Sequence, residues 1–402
     1  MEKTVLLKKM TDLLKEKTVL LMEKLVNIRR HLHSIAETAH KESRTARYIA
    51  DKLKDMAKIR EGIGGHGIIA TIDSGRQGPV LLFRAELDAL PIDETIDLPH
   101  ASKTRDVAHK CGHDGHMAIL MGLACKLQEK PLKRGKVHLL FQPAEETGEG
   151  AQRMLEDPEM QDIRPDLVFA LHNLPGFPEK AVILREDVFA AGSAGLIVRL
   201  TGNTAHAAHP EQGRSPASAV AALIQNWEAL PGKVLESGRF GLLTIIHARI
   251  GSPAFGTTPG YAELMATLRA SEPEDLASLR KEAVATAERE AKRYHLKMNH
   301  EWTEVFHPTV NHGHAVKLAE KAASKLAGRG LLDKQHIMHI PDPFPWSEDF
   351  GCFTGKYPGA LFGLGAGTEH PHLHDTHYDF PDGLLSTGVM LFFGIIEETG
   401  LF

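Results

Sequence analysis

Cys111 and His113 stand two residues apart in the run CGHDGH. A thiolate beside an imidazole suits a borderline-soft divalent cation, and an irregular loop can turn both inward. Taken alone, the same residues read equally as a buried cysteine and solvated histidines at a helix start. Asp114 and His116 of that run are candidates to support the ligands or to face a substrate. Glu145 and Glu146 follow in PAEETGEG, where Glu149 keeps a plain acidic turn as the competing reading. Adjacent carboxylates at a strand end can diverge, one onto a cation and the other toward a water that the cation acidifies. The second carboxylate can take that proton and later give it to a leaving amine. His172 ends the apolar run VFAL, while His370, His372, His374 and His377 crowd HPHLHDTHYDF. Composition does not choose among those four.

Each of these clusters sits where a strand ends or a helix opens. RAELDALP follows VLLF, CGHDGH opens a helix, PAEETGEG follows VHLLFQ, LHNLP ends VFAL, and HPHLHD follows ALFGLG. In open α/β sheets, ligands bind outside the carboxyl ends of the strands. Charges crowded there repel one another, and a bound cation relieves them. From residue 79 to 172, short apolar runs separated by helices predict a mostly parallel sheet buried on both faces.

The region 192–305 has a different rhythm, β-α-β-β-α-β, which fits the split ferredoxin-like motif. Ala262, Leu264, Ala266 and Leu268 alternate onto one face of its third strand, and Ser271 with Glu274 forms a capping box for its second helix. The chain therefore divides into 1–191 and 306–402, forming one α/β domain, with 192–305 inserted. Residues 1–58 read as helical through Leu6, Leu13, Leu14, Leu20, Leu21, Leu25 and Ile28, with a second helix over Ser43–Met56. Gly62, Gly64 and Gly67 formally satisfy G-x-G-x-x-G. A helix before and a strand after reverse the order that dinucleotide binding needs, so this is read as a tight helix-to-strand turn.

Composition sets the outer bounds. The 402 residues carry 47 Lys plus Arg against 52 Asp plus Glu, a net charge of −5, with no basic footprint for nucleic acid. Three cysteines are too few for a disulfide framework, whereas 24 histidines are plentiful. MEKTVLLKKMTDLLKEK lacks the apolar core of a signal peptide, and no apolar run approaches the ~18 residues that span a bilayer. The expectation is a cytoplasmic protein without membrane partners.

In this order, RAELDALP, AHKCGHDGHMAILMGLA, LLFQPAEETGEGA, ALHNLP, HAAHP, SEDF and LHDTHYDF resemble the dinuclear-metal amidohydrolases, the group of hippurate hydrolase, N-acyl-amino-acid amidohydrolases and plant auxin-conjugate hydrolases. The similarity runs from RRHLHS near residue 29 to the last helix. It implies a catalytic domain with an inserted ferredoxin-like lid that also mediates homodimerisation. It further implies five ligands, Cys111, His113, Glu146, His172 and His374, with Cys111 bridging two divalent ions (Zn, Mn, Co or Ni). The family pattern LHS…FD…DE is what selects His374. Glu145 becomes the general base, acting on a metal-bound hydroxide. His206, in GNTAHAAHP, would reach the scissile carbonyl, in relatives usually across the dimer. Asp88 and Asp114 match supporting acids.

The implied reaction is hydrolysis of the amide bond of a small N-acyl amino acid or related conjugate. Three departures stand out: Glu86 where relatives usually carry Asp, Gly256 in GTTPG where they carry Asn, and Cys352 where an aromatic is common. Other chemistries compatible with these residues are a thiol hydrolase using Cys111, a deaminase acting on another C–N bond, and a metal-binding protein without turnover.

Overall fold

The computed structural model describes residues 19–402. The chain forms two compact units. The first comprises the described chain up to Phe189 with Val310–Asp342 and Cys352–Phe402; the second comprises Ala190–Thr309 with Pro343–Gly351. Among the described residues, no helix is long and apolar enough to cross a membrane.

The first unit is built on an eight-stranded sheet. Its centre runs in the spatial order Lys136–Gln142, Val80–Glu86, Leu167–Pro175, Gly359–Gly367, and all three pairings are parallel. These strands are buried almost end to end, because helices cover both faces. Phe83 stacks on Phe169 at 5.6 Å and meets Phe392 at 4.9 Å, joining the sheet to the last helix. That helix, Leu384–Glu398, is apolar nearly all round and packs against both His113–Glu129 and Gly313–Gly328. At one edge Lys58–Ile63 and Gly67–Asp73 add an antiparallel hairpin; at the other, Val182–Leu184 runs antiparallel to Gly359–Gly367 and parallel to Ile337–His339.

The hairpin corrects the expected helix-to-strand turn. Helix covers 19–34 and Ser43–Leu53, and Lys58 already opens a strand. KIREGI shows little of the strand pattern, and its backbone is ordered by pairing with Gly67–Thr71. Gly64 has φ +62°, and a Cβ there would lie 2.8 Å from the Met154 amide, so the glycines serve the hairpin. The helical positions Leu6, Leu13 and Leu14 lie outside the described residues.

The second unit is a four-stranded antiparallel sheet, ordered Lys297–Phe306, Gly192–Thr201, Tyr261–Ala270, Gly241–Ile250. With helices Ala217–Glu228 and Pro273–Arg293, the chain order is β-α-β-β-α-β. Trp227 is fully buried between the helices and donates its indole N–H to the Ala283 carbonyl at 3.0 Å. The expected capping box does not form. Helix begins at Pro273 with Glu272 in the cap position, and Ser271 Oγ is buried without a hydrogen bond among the described residues. Proline at the first turn has no N–H to cap and a fixed φ, which moves the start past Ser271.

Within the first unit, an ionic network ties the chain's first described helix to the segments that carry the candidate ligands. Arg29 is buried and donates to Asp379 (2.6 Å), Asp382 (2.8 Å) and Asp114 (3.3 Å). His33 is enclosed too, with Nδ1 2.9 Å from Asp114 Oδ2 and Nε2 2.9 Å from Glu94 Oε1. Burial pushes its pKa down, but the bonds to Asp114 and Glu94 outweigh burial and raise it to about 9.

Replacing Arg29 with Met leaves buried Asp114 short of a partner, and should cost the first unit about 3–5 kcal/mol, read from its urea midpoint. His33 binds its extra proton more tightly folded than unfolded. Its contribution is therefore full below its ordinary pKa of 6.5 and is lost as pH rises through about 9. The urea midpoint of the wild type should fall toward that of His33→Gln between pH 6.5 and pH 10; a constant gap over that interval would contradict a charged His33.

Candidate metal centre

Each candidate ligand is placed by a distinct local device. Between Cys111 and His113, Gly112 adopts φ +94°, and a Cβ there would fall 2.3 Å from Asn173 Nδ2 and 2.7 Å from the Tyr378 hydroxyl. Only glycine makes that turn, which directs both flanking side chains to one side before the helix starts at His113. Glu145 and Glu146 follow the strand Lys136–Gln142. Ala144, just before them, has φ +52° and is held by its N–H to Glu42 Oε1 at 2.8 Å. The Glu146 N–H donates to Asp88 Oδ2 at 3.0 Å. Two buried carboxylates, Glu42 and Asp88, thus shape this acidic turn. His172 lies within Leu167–Pro175 opposite Gly363, which has no side chain to crowd it. His374 sits in a loop with φ +67° and donates its N–H to the Lys110 carbonyl at 2.8 Å.

These devices bring the side chains together. Donor atoms of Cys111, His113 and His172 all lie within 4.8 Å of one another, as do those of Cys111, Glu146 and His374, and those of His113, Glu145 and Glu146. Cys111 Sγ is 3.5 Å from His172 Nε2, and His374 Nε2 is 3.7 Å from Glu146 Oε2. His113 Nε2 is 3.8 Å from Glu145 Oε2 and 3.9 Å from Glu146 Oε1.

The residues fit a cation. His113 Nδ1 faces the Asp88 carbonyl at 2.8 Å, and His172 Nδ1 faces the Asn173 carbonyl at 2.8 Å. A carbonyl can only accept, so both rings carry their proton on Nδ1 and turn the Nε2 lone pair inward. His113 Nε2 is buried with no hydrogen-bond partner among the described residues. Burial pushes the His113 pKa down, yet Glu86, Glu146 and Asp88 outweigh it and leave it raised, so the pocket favours positive charge. Inward lone pairs, a thiol and carboxylates in one negative pocket are the donor set of a mixed S/N/O metal site.

The remaining sequence candidates divide. Asp88 is enclosed beside the centre, its carbonyl on His113 and its carboxylate on the Glu146 amide. Asp114 points away into the Arg29–His33 network, and despite burial its carboxyl is held far below the usual range by His33 and Arg29. His116 is engaged on both nitrogens, Nδ1 to Glu86 Oε2 at 2.7 Å and Nε2 accepting the Asn173 N–H at 3.1 Å. Glu86 also accepts from Arg84. In the histidine-rich loop, His370 bonds the Asp379 carbonyl at 2.8 Å and His377 pairs with Asp375 at 3.1 Å. His206 belongs to the second unit, exposed on a loop where the next residue, Ala207, donates its N–H to the Gly256 carbonyl at 3.0 Å. Among the described residues, nothing would lie within 4 Å of a Cβ at Gly256.

Sequence reasoning did not single out Arg29, His33, Glu42, Lys110, Asn173 or Tyr378. Glu86 gave a partial signal as a departure; the others are ordinary residue types whose importance comes only from where they meet.

The chain matches Peptidase family M20/M25/M40 over residues 82–398. It is 32% identical over 335 residues to the N-acetyl-L-cysteine deacetylase of Bacillus subtilis (strain 168), covering 83% of this chain and 78% of that protein. It is 30% identical over 346 residues to the hippurate hydrolase of Campylobacter jejuni, covering 85% and 88%. Among solved structures, a dinuclear metal-binding peptidase of the M20 family from Bacillus subtilis aligns with a TM-score of 0.77 at 26% identity, over 93% of this chain and 97% of that one. The convergent donors and these likenesses agree: the chain belongs to peptidase family M20/M25/M40, and is a hydrolase that acts on amide bonds with divalent metal.

Proposed function

We propose that the protein cleaves the amide bond of a small N-acyl amino acid or related conjugate, and that Cys111, His113, Glu146, His172 and His374 would hold two divalent cations for this reaction. One observation carries the reading. The rings of His113 and His172 turn Nε2 toward the Cys111 thiol and the Glu146 carboxylate, while Glu145 stands 3.8 Å from His113 Nε2. The substrate class is supported by the relatives, since N-acetyl-L-cysteine and hippurate are both N-acylated amino acids. Zinc, manganese, cobalt and nickel all suit these donors.

Bound cations supply the Lewis acidity that polarises the scissile carbonyl and acidifies a water. Glu145 takes the proton of the attacking water and delivers it to the departing nitrogen, so that the leaving group departs as a neutral amine. Asp88 holds two parts of this arrangement at once, the His113 ring and the Glu146 amide.

Two copies pair through the second unit in this reading. Gly241–Ile250 is the edge strand of its sheet and exposes Leu242, Ile246 and Ile250, with Phe255 exposed just beyond. An apolar unpaired edge is a template for a second chain.

Glu145→Gln should lower kcat by about 10²-fold or more while metal content stays at the wild-type level. A near wild-type rate would remove Glu145 from the mechanism. Chelation should abolish hydrolysis across an N-acyl amino acid panel and added metal restore it, with free amino acid as product. Activity that survives chelation would favour a Cys111 thiol hydrolase, and ammonia release a deaminase. In light scattering, the wild type should be a dimer and Ile246→Lys a monomer; a monomeric wild type would contradict the pairing.

A further inference from the structure

We propose that Asn173 and Tyr378 are positioning residues that hold the His374 loop over the centre, so that cutting their contact weakens the cation shared with Glu146 and His374 selectively. The inference rests on the ligand assignment above.

His374 is the least supported of the five. Its side chain is 51% exposed, whereas Cys111, His113 and His172 are buried. It lies outside helix and strand, and its φ of +67° is uncommon for a residue with a Cβ. Contacts from elsewhere must therefore hold it. Its N–H donates to the Lys110 carbonyl at 2.8 Å. The Lys110 ammonium donates to the Tyr378 carbonyl at 2.8 Å, and the Tyr378 hydroxyl donates to Asn173 Oδ1.

Asn173 is where these tethers meet the other ligands. It is fully buried and all four of its polar groups are used. Its carbonyl accepts from His172 Nδ1 at 2.8 Å, its N–H donates to His116 at 3.1 Å, and Nδ2 donates to the Cys111 carbonyl at 2.7 Å. Oδ1 completes the set by accepting from Tyr378. One side chain thus links the Cys111 backbone to the loop that carries His374, while its backbone orients His172. Phenylalanine at 378 would fill nearly the same volume, so the core does not need the hydroxyl. Without it, buried Oδ1 loses its donor and the loop loses a tether close to a strained residue.

The test titrates metal-free wild type, Tyr378→Phe, Asn173→Leu and His374→Ala with Co(II) against a competing chelator. Wild type should bind two ions and His374→Ala one. Tyr378→Phe should keep the tighter ion at wild-type affinity and lose about 10–100-fold for the weaker. A merely structural hydroxyl would lower the unfolding midpoint and leave both affinities unchanged, and that result would overturn the inference. If Asn173→Leu fails to fold, Tyr378→Phe decides, because it removes a single oxygen. Fewer than two ions in the wild type would instead refute the ligand assignment, a result distinct from two ions bound equally well by wild type and Tyr378→Phe.

Discussion

Imidazole nitrogens, a thiol sulfur and carboxylate oxygens converge at the carboxyl edge of the large sheet, and much of the first unit's architecture serves that meeting. The tautomers of His113 and His172 are set from behind by the carbonyls of Asp88 and Asn173. Their Nε2 atoms therefore look into a pocket that also holds a thiol and the carboxylates of Glu145 and Glu146. Buried lone pairs that meet without a positive charge between them are costly. Divalent cations held there would turn that cost into binding energy and couple the fold to the metal. The raised pKa of His113, driven by Glu86, Glu146 and Asp88 against burial, expresses the same field through a proton.

Such a pocket needs a stiff surround, and the chain provides it with buried charge. Asp88 and Glu42 shape the acidic turn, and Arg29 and His33 hold Asp114 at the start of the helix that His113 opens. Partners in that network lie as far apart as Arg29 and Asp382, separated by 353 residues in sequence. Ion pairs of this kind add little net stability compared with apolar packing, but breaking one leaves an uncompensated charge. They give the centre a defined geometry rather than a large stabilisation.

Much of this was legible in the residues. The runs VLLF, VHLLF, LVFAL and ALFGLG read as buried parallel strands because both faces must be apolar, whereas His172, expected where its strand ends, lies inside a strand that runs on to Pro175. CGHDGH reads as the opening of a helix, and the helix does begin at His113, after a turn that Gly112 makes with φ +94°. Other features were not. Nothing local distinguishes His374 from His370, His372 or His377; what separates them is a left-handed backbone and contacts from Lys110 and, through Tyr378, Asn173. KIREGI carries almost no strand pattern and takes its conformation from a partner, and Ser271 lost its capping role to the proline that follows two residues later. The tertiary partner decides in each case, and a linear reading does not contain it.

In the proposed centre, Cys111, His113, Glu146, His172 and His374 would together hold two cations. Anomalous diffraction from crystals grown with manganese or zinc tests it most directly. Two peaks are expected, one within bonding distance of His113 and His172, the other of Glu146 and His374, with Cys111 Sγ in reach of both. A single peak, or peaks that leave Cys111 unligated, would contradict it.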